Sequence, residues 1–278
     1  MALPAADGAF QGRGVRGHMR RIIITGAAGG IGSATVQLLR SRGAQVVGLD
    51  LAGADIECDV RSQESVDRAV SAAIEQLGGL DVLINNAGLG TPQSAAEPPD
   101  EAALKVLDVN LVGPWRVTSA ALPALRESHG RVVNVASGLA HVTVPFATAY
   151  TISKRGVVAY SDLLRLEEGD RVDVTTVYPG YIRTSIHAES QAAGVPLEGA
   201  VPVEDVSDAA RTLVRAALGA PVRDLATTRE GTLTYAVVRL APRRVVDAIT
   251  RRQMQRLARK GHFAESGLAG GFVRRISS

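Results

Sequence analysis

Cysteine is almost missing from this sequence of 278 residues: Cys58 stands alone, so no disulfide can close within the chain. Independence from disulfides fits a reducing, cytoplasmic setting. No apolar run reaches the ~18 residues a membrane-spanning helix requires. The first 18 residues, rich in Gly, Ala and Arg, lack the apolar stretch of about 7–15 residues that marks a secretory signal. Having no periodicity, they read as a disordered leader, with Met19 a candidate functional start. No Cys/His or carboxylate cluster has metal-ligand spacing, so no metal ion is expected. Lysine is scarce as well: of 31 basic residues only Lys105, Lys154 and Lys260 are lysine.

What remains is ordinary for a folded chain. Hydrophobic residues make up 46% and charged residues 21%, which excludes a disordered or collagen-like polypeptide. The length suffices to bury a large core in one α/β domain with extra segments. Charge, by contrast, is unevenly spread. From Arg239 onward there are ten basic and two acidic residues, a net +8, against 21 basic and 26 acidic, or −5, in the first 238.

A repeating pattern starts at Arg20. The β-branched run Arg21–Thr25 predicts a buried strand, and Gly26–Gly32 a glycine-rich turn. Helix is expected over Ser33–Arg42, with Gly43 after it as a C-terminal cap. Further strands are predicted at Ala44–Leu49, Ile56–Cys58, Leu80–Asn85, Arg131–Ala136 and Asp173–Tyr178. Helices are predicted at Ser62–Leu77, about 100–125, about 148–168 and about 205–219. Strands that alternate with helices and are apolar on both faces imply a doubly wound parallel sheet. The expected organisation is therefore a leader (1–18), one α/β domain (19–240) and a basic helical extension (241–278).

The turn Thr25-Gly26-Ala27-Ala28-Gly29-Gly30-Ile31-Gly32 lies between the first strand and the first helix. Missing side chains there let the backbone approach a pyrophosphate, and the helix N-terminus offers free N–H groups and a positive dipole end. Asp50 follows 18 residues after Gly32, at the end of the second strand. A carboxylate there can accept from both ribose hydroxyls and would repel a 2′-phosphate. With Leu51 next and no basic residue in Ala27–Gly30, the pattern favours NAD over NADP.

Tyr150 and Lys154 are four residues apart on a predicted helix and so share one face. A nearby ammonium stabilises a phenolate, making tyrosine usable as an acid or base near neutral pH. Ser137 ends the preceding strand and could hold a substrate oxygen opposite the phenol. On its own, a Tyr-x-x-x-Lys pair is usually only a surface contact.

Taken together, Thr25-Gly-x-x-x-Gly-x-Gly32, Cys58-Asp59-Val60, Asn85-Asn86-Ala87-Gly88, Asn110, Ser137, Tyr150-x-x-x-Lys154 and Pro179-Gly180 resemble the short-chain dehydrogenase/reductase family in order and spacing, over about residues 20–220. The resemblance implies a Rossmann fold and an NAD-dependent oxidoreductase. It implies Tyr150 as general acid/base, Lys154 lowering its pKa and bonding the nicotinamide ribose, and Ser137 polarising the substrate oxygen. Asn110 would hold a relay water. For the cofactor it implies contacts from Gly26, Ala28, Gly29, Gly30, Ile31, Gly32, Asp50 and Leu51. Asp59 and Val60 would meet the adenine, and Asn86, Ala87 and Gly88 the adenosine ribose. Pro179 and Gly180 would border the nicotinamide, with Ile182 and Thr184 at its carboxamide or the nearby phosphate.

Substrate-facing positions are expected at Leu89–Ala95, Gly138–Phe146 and Tyr181–Val203. Leu89, Leu139, Val142, Val144, Pro145, Phe146, Tyr181, Ile186 and Val195 make that lining mostly apolar, which favours a lipophilic or aromatic alcohol or ketone. His141 and His187 read as exposed loop histidines. A final strand or a helix is expected within Gly231–Leu240. In the basic stretch Arg243–Lys260, Val246, Ile249, Thr250, Gln253 and Leu257 share one arc, which suits either a helix packed over the substrate cleft or a subunit, or one bound to anionic lipid. Membrane association therefore stays open beside the cytoplasmic setting. Without interleaved aromatics or a reader motif, no nucleic-acid binding is expected. A homo-oligomer, dimer or tetramer, is expected; the C-terminal departure speaks against the tetramer usual in the family, and a dimer would form through the two long helices (about 100–125 and 148–168). The alternative to an enzyme is a non-catalytic NAD-binding scaffold or sensor that recruits partners through its basic tail.

Overall fold

The computed structural model describes residues 19–182, 184, 186, 190, 192–195, 203–227, 237, 240–261, 263, 266–269 and 273–275. Its strands are β1 (Arg21–Thr25), β2 (Gln45–Asp50), β3 (Ile56–Glu57), β4 (Val82–Asn85), β5 (Arg131–Val135), β6 (Asp173–Tyr178), β7 (Tyr181–Ile182), β8 (Val203–Glu204) and β9 (Asp224–Ala226). The helices are α1 (Gly30–Ser41), α2 (Gln63–Leu77), α3 (Glu101–Leu107), α4 (Gly113–Ser128), α5 (Thr148–Glu168), α6 (Val206–Leu218) and α7 (Arg243–Arg259). Seven strands form one parallel sheet in the order β3-β2-β1-β4-β5-β6-β9, and β7 and β8 pair separately.

Alternation along the strands explains why both faces need helices. Ile23, Val47, Leu83, Val132 and Val174 point to one face, where they pack with Val66 and Val70 of α2, Val117 and Leu125 of α4 and Leu164 of α5. Ile22, Ile24, Val46, Ile84, Val133 and Val177 point to the other, against Val36 and Leu39 of α1 and Leu213 and Val214 of α6. The fold is thus the doubly wound α/β sheet that the alternation implies. Strand order reverses between β1 and β4, and in such sheets a ligand binds in the crevice beyond the strand ends at that point.

Three local features depart from the sequence expectation. The helix expected over 100–125 is divided: α3 gives way to a π-helical segment, Asp108–Val112, before α4 resumes. The last sheet strand is Asp224–Ala226, ahead of Gly231–Leu240, most of which lies outside the described residues. Within α7 the buried side chains include Val246 and Met254, while Ile249 faces solvent. Gly43 stands one place beyond the C-cap residue Arg42, in the left-handed region that favours glycine (φ 79°).

Candidate functional site

Each glycine that matters in the first turn is dictated by a close approach. A Cβ on Gly26 would lie 2.8 Å from Ala87 Cα, and one on Gly32 1.9 Å from the Gly26 carbonyl oxygen. Gly26 also sits at φ 66°, which other residues rarely adopt. The turn is held from β4: Asn86 Nδ2 donates to the carbonyls of Thr25 and Gly26 at 3.1 Å each, and the Asn86 and Ala87 N–H groups donate to Thr25 Oγ1. From β2, Asp50 accepts from the Ala28 N–H (2.9 Å) and the Leu51 N–H (2.8 Å).

Above this turn opens a cavity of about 620 Å³. Gly26, Ala28, Gly29, Gly30, Ile31, Gly32, Asp50, Leu51, Asp59, Val60, Asn86, Ala87, Gly88 and Thr184 all line it. Cys58, Arg61, Ala102, Lys105 and Val109 line it too. The sequence pattern gave no signal for Arg61 or Lys105, which belong to no spaced motif. Arg61 pairs with Asp59 at 2.7 Å, and its guanidinium holds the Asp59 carboxyl below the usual range. Burial, reinforced by the neighbouring Asp59 charge, pushes the Cys58 thiol up to about 11, so it is not a reactive thiolate.

Ser137, Tyr150, Lys154 and Asn110 stand just past the cavity's lining, on the far side of Gly88 and Gly90. A Cβ on Gly88 would meet Asn110 Oδ1 at 3.4 Å and Lys154 Nζ at 3.6 Å, and one on Gly90 would meet Tyr150 Cδ2 at 3.7 Å. Tyr150 and Lys154 are one turn apart on α5, with Lys154 Nζ 5.7 Å from the centre of the Tyr150 ring. Lys154 is buried and donates to the Val135 carbonyl at 2.9 Å. Burial pulls its ammonium down to about 8. Burial also pushes the Tyr150 phenol up, while a hydrogen bond with Ser137 pulls it down. Asn110 sits in the π-helical segment, a departure from α geometry common at functional sites. Its side chain is engaged at both ends: Oδ1 accepts from the Leu89 N–H at 2.7 Å, and Nδ2 donates to the Leu89 carbonyl and to Ser153 Oγ.

The last predicted group surrounds the end of β6. The Pro179 carbonyl accepts from the Gly138 N–H at 2.9 Å, tying that corner to the residue after Ser137. The Gly180 N–H donates to Glu204 Oε2 at 2.8 Å, a clasp the sequence did not suggest. Ile182 is buried on β7, outside the cavity lining, whereas the Thr184 methyl lies 3.2 Å from the place of a Cβ on Gly30. Leu139, Val144, Ala147 and Tyr181 form a buried cluster against Tyr150, and Leu89 and Ile186 line the cavity. Phe146 and Val195 turn instead toward Met254 and Leu257 of α7. His141, expected in solvent, is only 8% exposed, because its ring packs 4.8 Å from that of Tyr178. His187 lies outside the described residues.

A glycine turn thus lies at the sheet's switch point, with a helix carrying Tyr150 and Lys154 beside it. The family described as short chain dehydrogenase matches residues 20–194, and the chain belongs to that family. A crystal structure of a short-chain dehydrogenase from Burkholderia cenocepacia in complex with NADP is 30% identical, with a TM-score of 0.71 and coverage of 82% of this chain and 96% of that one. Human 17-beta-hydroxysteroid dehydrogenase type 6 is 35% identical over 203 residues, 66% of this chain and 64% of its own length. Bovine L-fucose dehydrogenase is 34% identical over 195 residues, 65% of this chain and 72% of its own.

Proposed function

We propose that the protein transfers a hydride between NAD(H) and a secondary alcohol or ketone of lipophilic or aromatic character, with Tyr150 as general acid/base. The observation that carries this reading is the grouping of Tyr150, Ser137 and Lys154 beside a glycine-walled cavity that also receives Asp50. The cradle suits a dinucleotide: a cavity of about 620 Å³ is walled by Gly26, Gly29, Gly30, Gly32 and Gly88, which leave backbone open to a pyrophosphate. Gly26–Gly32 would hold the pyrophosphate, Asp50 the adenosine ribose, and Asp59 and Val60 the adenine. Pro179, Gly180, Ile182 and Thr184 would flank the nicotinamide. When bound, the nicotinamide supplies or accepts the hydride.

The chain's own residues handle the proton. Ser137 Oγ positions the substrate oxygen, and Tyr150 Oη takes the alcohol proton in oxidation or returns it in reduction. Below about pH 8, where it is protonated, Lys154 would place a positive charge near the phenol and oppose the upward push of burial. NADH formation over a panel of lipophilic alcohols tests the reading. Turnover confined to sugars would remove the lipophilic assignment, and none with any alcohol or ketone would favour a non-catalytic scaffold.

Relatives named for a hydroxysteroid and for a sugar do not choose between substrates; the apolar Leu89 and Ile186 in the cavity lining are what favour the lipophilic one. For NAD over NADP, the support is the Asp50 carboxylate in the cavity and an Arg61 already paired with Asp59. Replacing Asp50 by alanine is expected to cut the preference for NAD at least about tenfold, the effect of ~1.4 kcal/mol. Ratios of kcat/KM for the two cofactors check this, and a parent enzyme that already prefers NADP would overturn it.

A homodimer through α4 and α5 is supported by bare apolar side chains, among them Trp115 (61% exposed) on α4 and Leu166 (84%) on α5. Trp115→Asp with Leu166→Asp is expected to shift the sedimenting species to monomer. An unchanged sedimentation coefficient would move the interface elsewhere.

A further inference from the structure

We propose that the outward face of α7 docks on an anionic membrane surface. The inward face is already committed: Met254, Leu257 and Ala258 pack with Val195, Phe263, Ala269 and Phe146. What faces outward is Arg244, Arg251, Arg252, Arg256, Arg259 and Lys260, with Asp247 the only acidic residue of the helix.

Many arginines of the α/β domain meet carboxylates: Arg21 with Asp81 (2.8 Å), Arg40 with Asp55 (2.6 Å), Arg116 with Asp108 (2.6 Å) and Arg126 with Glu168 (2.5 Å). Among the described residues, no carboxylate pairs with any of the six outward cations of α7. Among the described residues their charge is therefore left without a countercharge, and an anionic partner is what this face fits.

Aliphatic side chains stand among them. Leu240, just before the helix, is 88% exposed, Ile249 60% and Val245 49%. Val245, Ile249, Arg252 and Arg256 recur at helical spacing and form one stripe. Guanidinium groups beside bare aliphatics match a lipid interface, where phosphates take the charge and the acyl boundary takes the apolar atoms. A nucleic acid would use the arginines but not Leu240 and Ile249, and the stripe offers no aromatic ring on which a base could stack. The proposal does not depend on the catalytic reading.

The test is co-sedimentation of the full chain with phosphatidylserine/phosphatidylcholine vesicles and with phosphatidylcholine alone. Binding is expected only with the anionic vesicles. Arg251→Gln, Arg252→Gln and Arg256→Gln together should weaken it about a hundredfold, at roughly fivefold per cation. Leu240→Ser with Ile249→Ser should weaken it at least about tenfold through lost apolar contact. Circular dichroism and the melting midpoint, unchanged in both variants, would show that the fold survives. Failure of the parent to bind anionic vesicles overturns the proposal whatever the variants do. So does binding of duplex DNA that equals vesicle binding and ignores the Leu240/Ile249 pair.

Discussion

Replacing Tyr150 by phenylalanine is expected to lower kcat/KM for alcohol oxidation by about a thousandfold, within the range that a positioned acid/base supplies. The dissociation constant for NADH should stay within a factor of about two, a change of only ~0.4 kcal/mol. The substitution removes one oxygen and keeps the ring, so the buried cluster around Leu139, Val144 and Tyr181 retains its packing. Because burial holds the phenol above its ordinary value and Ser137 only partly offsets this, oxidation by the parent should accelerate as pH rises toward the phenol's ionisation. That limb should vanish in the variant. If the variant turned over like its parent, proton transfer would belong to another group.

Lys154→Met should separate catalysis from stability. Inside the fold the ammonium titrates near 8, against an ordinary 10.5, so the native state disfavours the protonated form. The sign follows: the unfolded chain binds the extra proton between those two values, and stability rises as pH climbs through that window. Near neutral pH, where the lysine is protonated in both states, the buried charge costs about 3 kcal/mol. Methionine fills similar space without charge and gives up one charge-assisted hydrogen bond to Val135, worth ~2 kcal/mol. A net gain of about 1 kcal/mol should raise the melting midpoint by about 3 °C. Activity should fall at least about a hundredfold, because the phenol loses its cationic neighbour. Calorimetry and steady-state rates on the same preparation decide it. A lower melting midpoint would mean that the ammonium stabilises the fold through Val135.

Much of this was readable from the chain because steric need fixes the residue type. Only glycine fits where a Cβ would strike a carbonyl 1.9 Å away, as at Gly32, so the turn announces itself. Strands β1 and β6 were visible because β-branched runs buried on both faces have few other uses. The features that escaped depend on partners far away in sequence. Asp224–Ala226 is short and carries no β-branched residue; it becomes a strand because β6 offers an open edge. The widening at Asp108–Val112 leaves the apolar spacing nearly intact, so periodicity does not report it. His141, in the loop after Gly138–Ala140, is buried because Tyr178 comes from β6 to meet it. In α7, both Ile249 and Met254 satisfy helical spacing, and Val195 and Phe263 decide which of them is covered.

The Glu204 clasp on Gly180 has a consequence for how such an enzyme can change its diet. The polypeptide departs at Ile182 and comes back at Val203 through two strands that lie side by side, so both ends of the intervening span are moored at one post. A change of residues between those two ends would leave the corner at Pro179 and Gly180 in its place. On the proposed reading, a different substrate would then call for no rebuilding of the groups that move the proton.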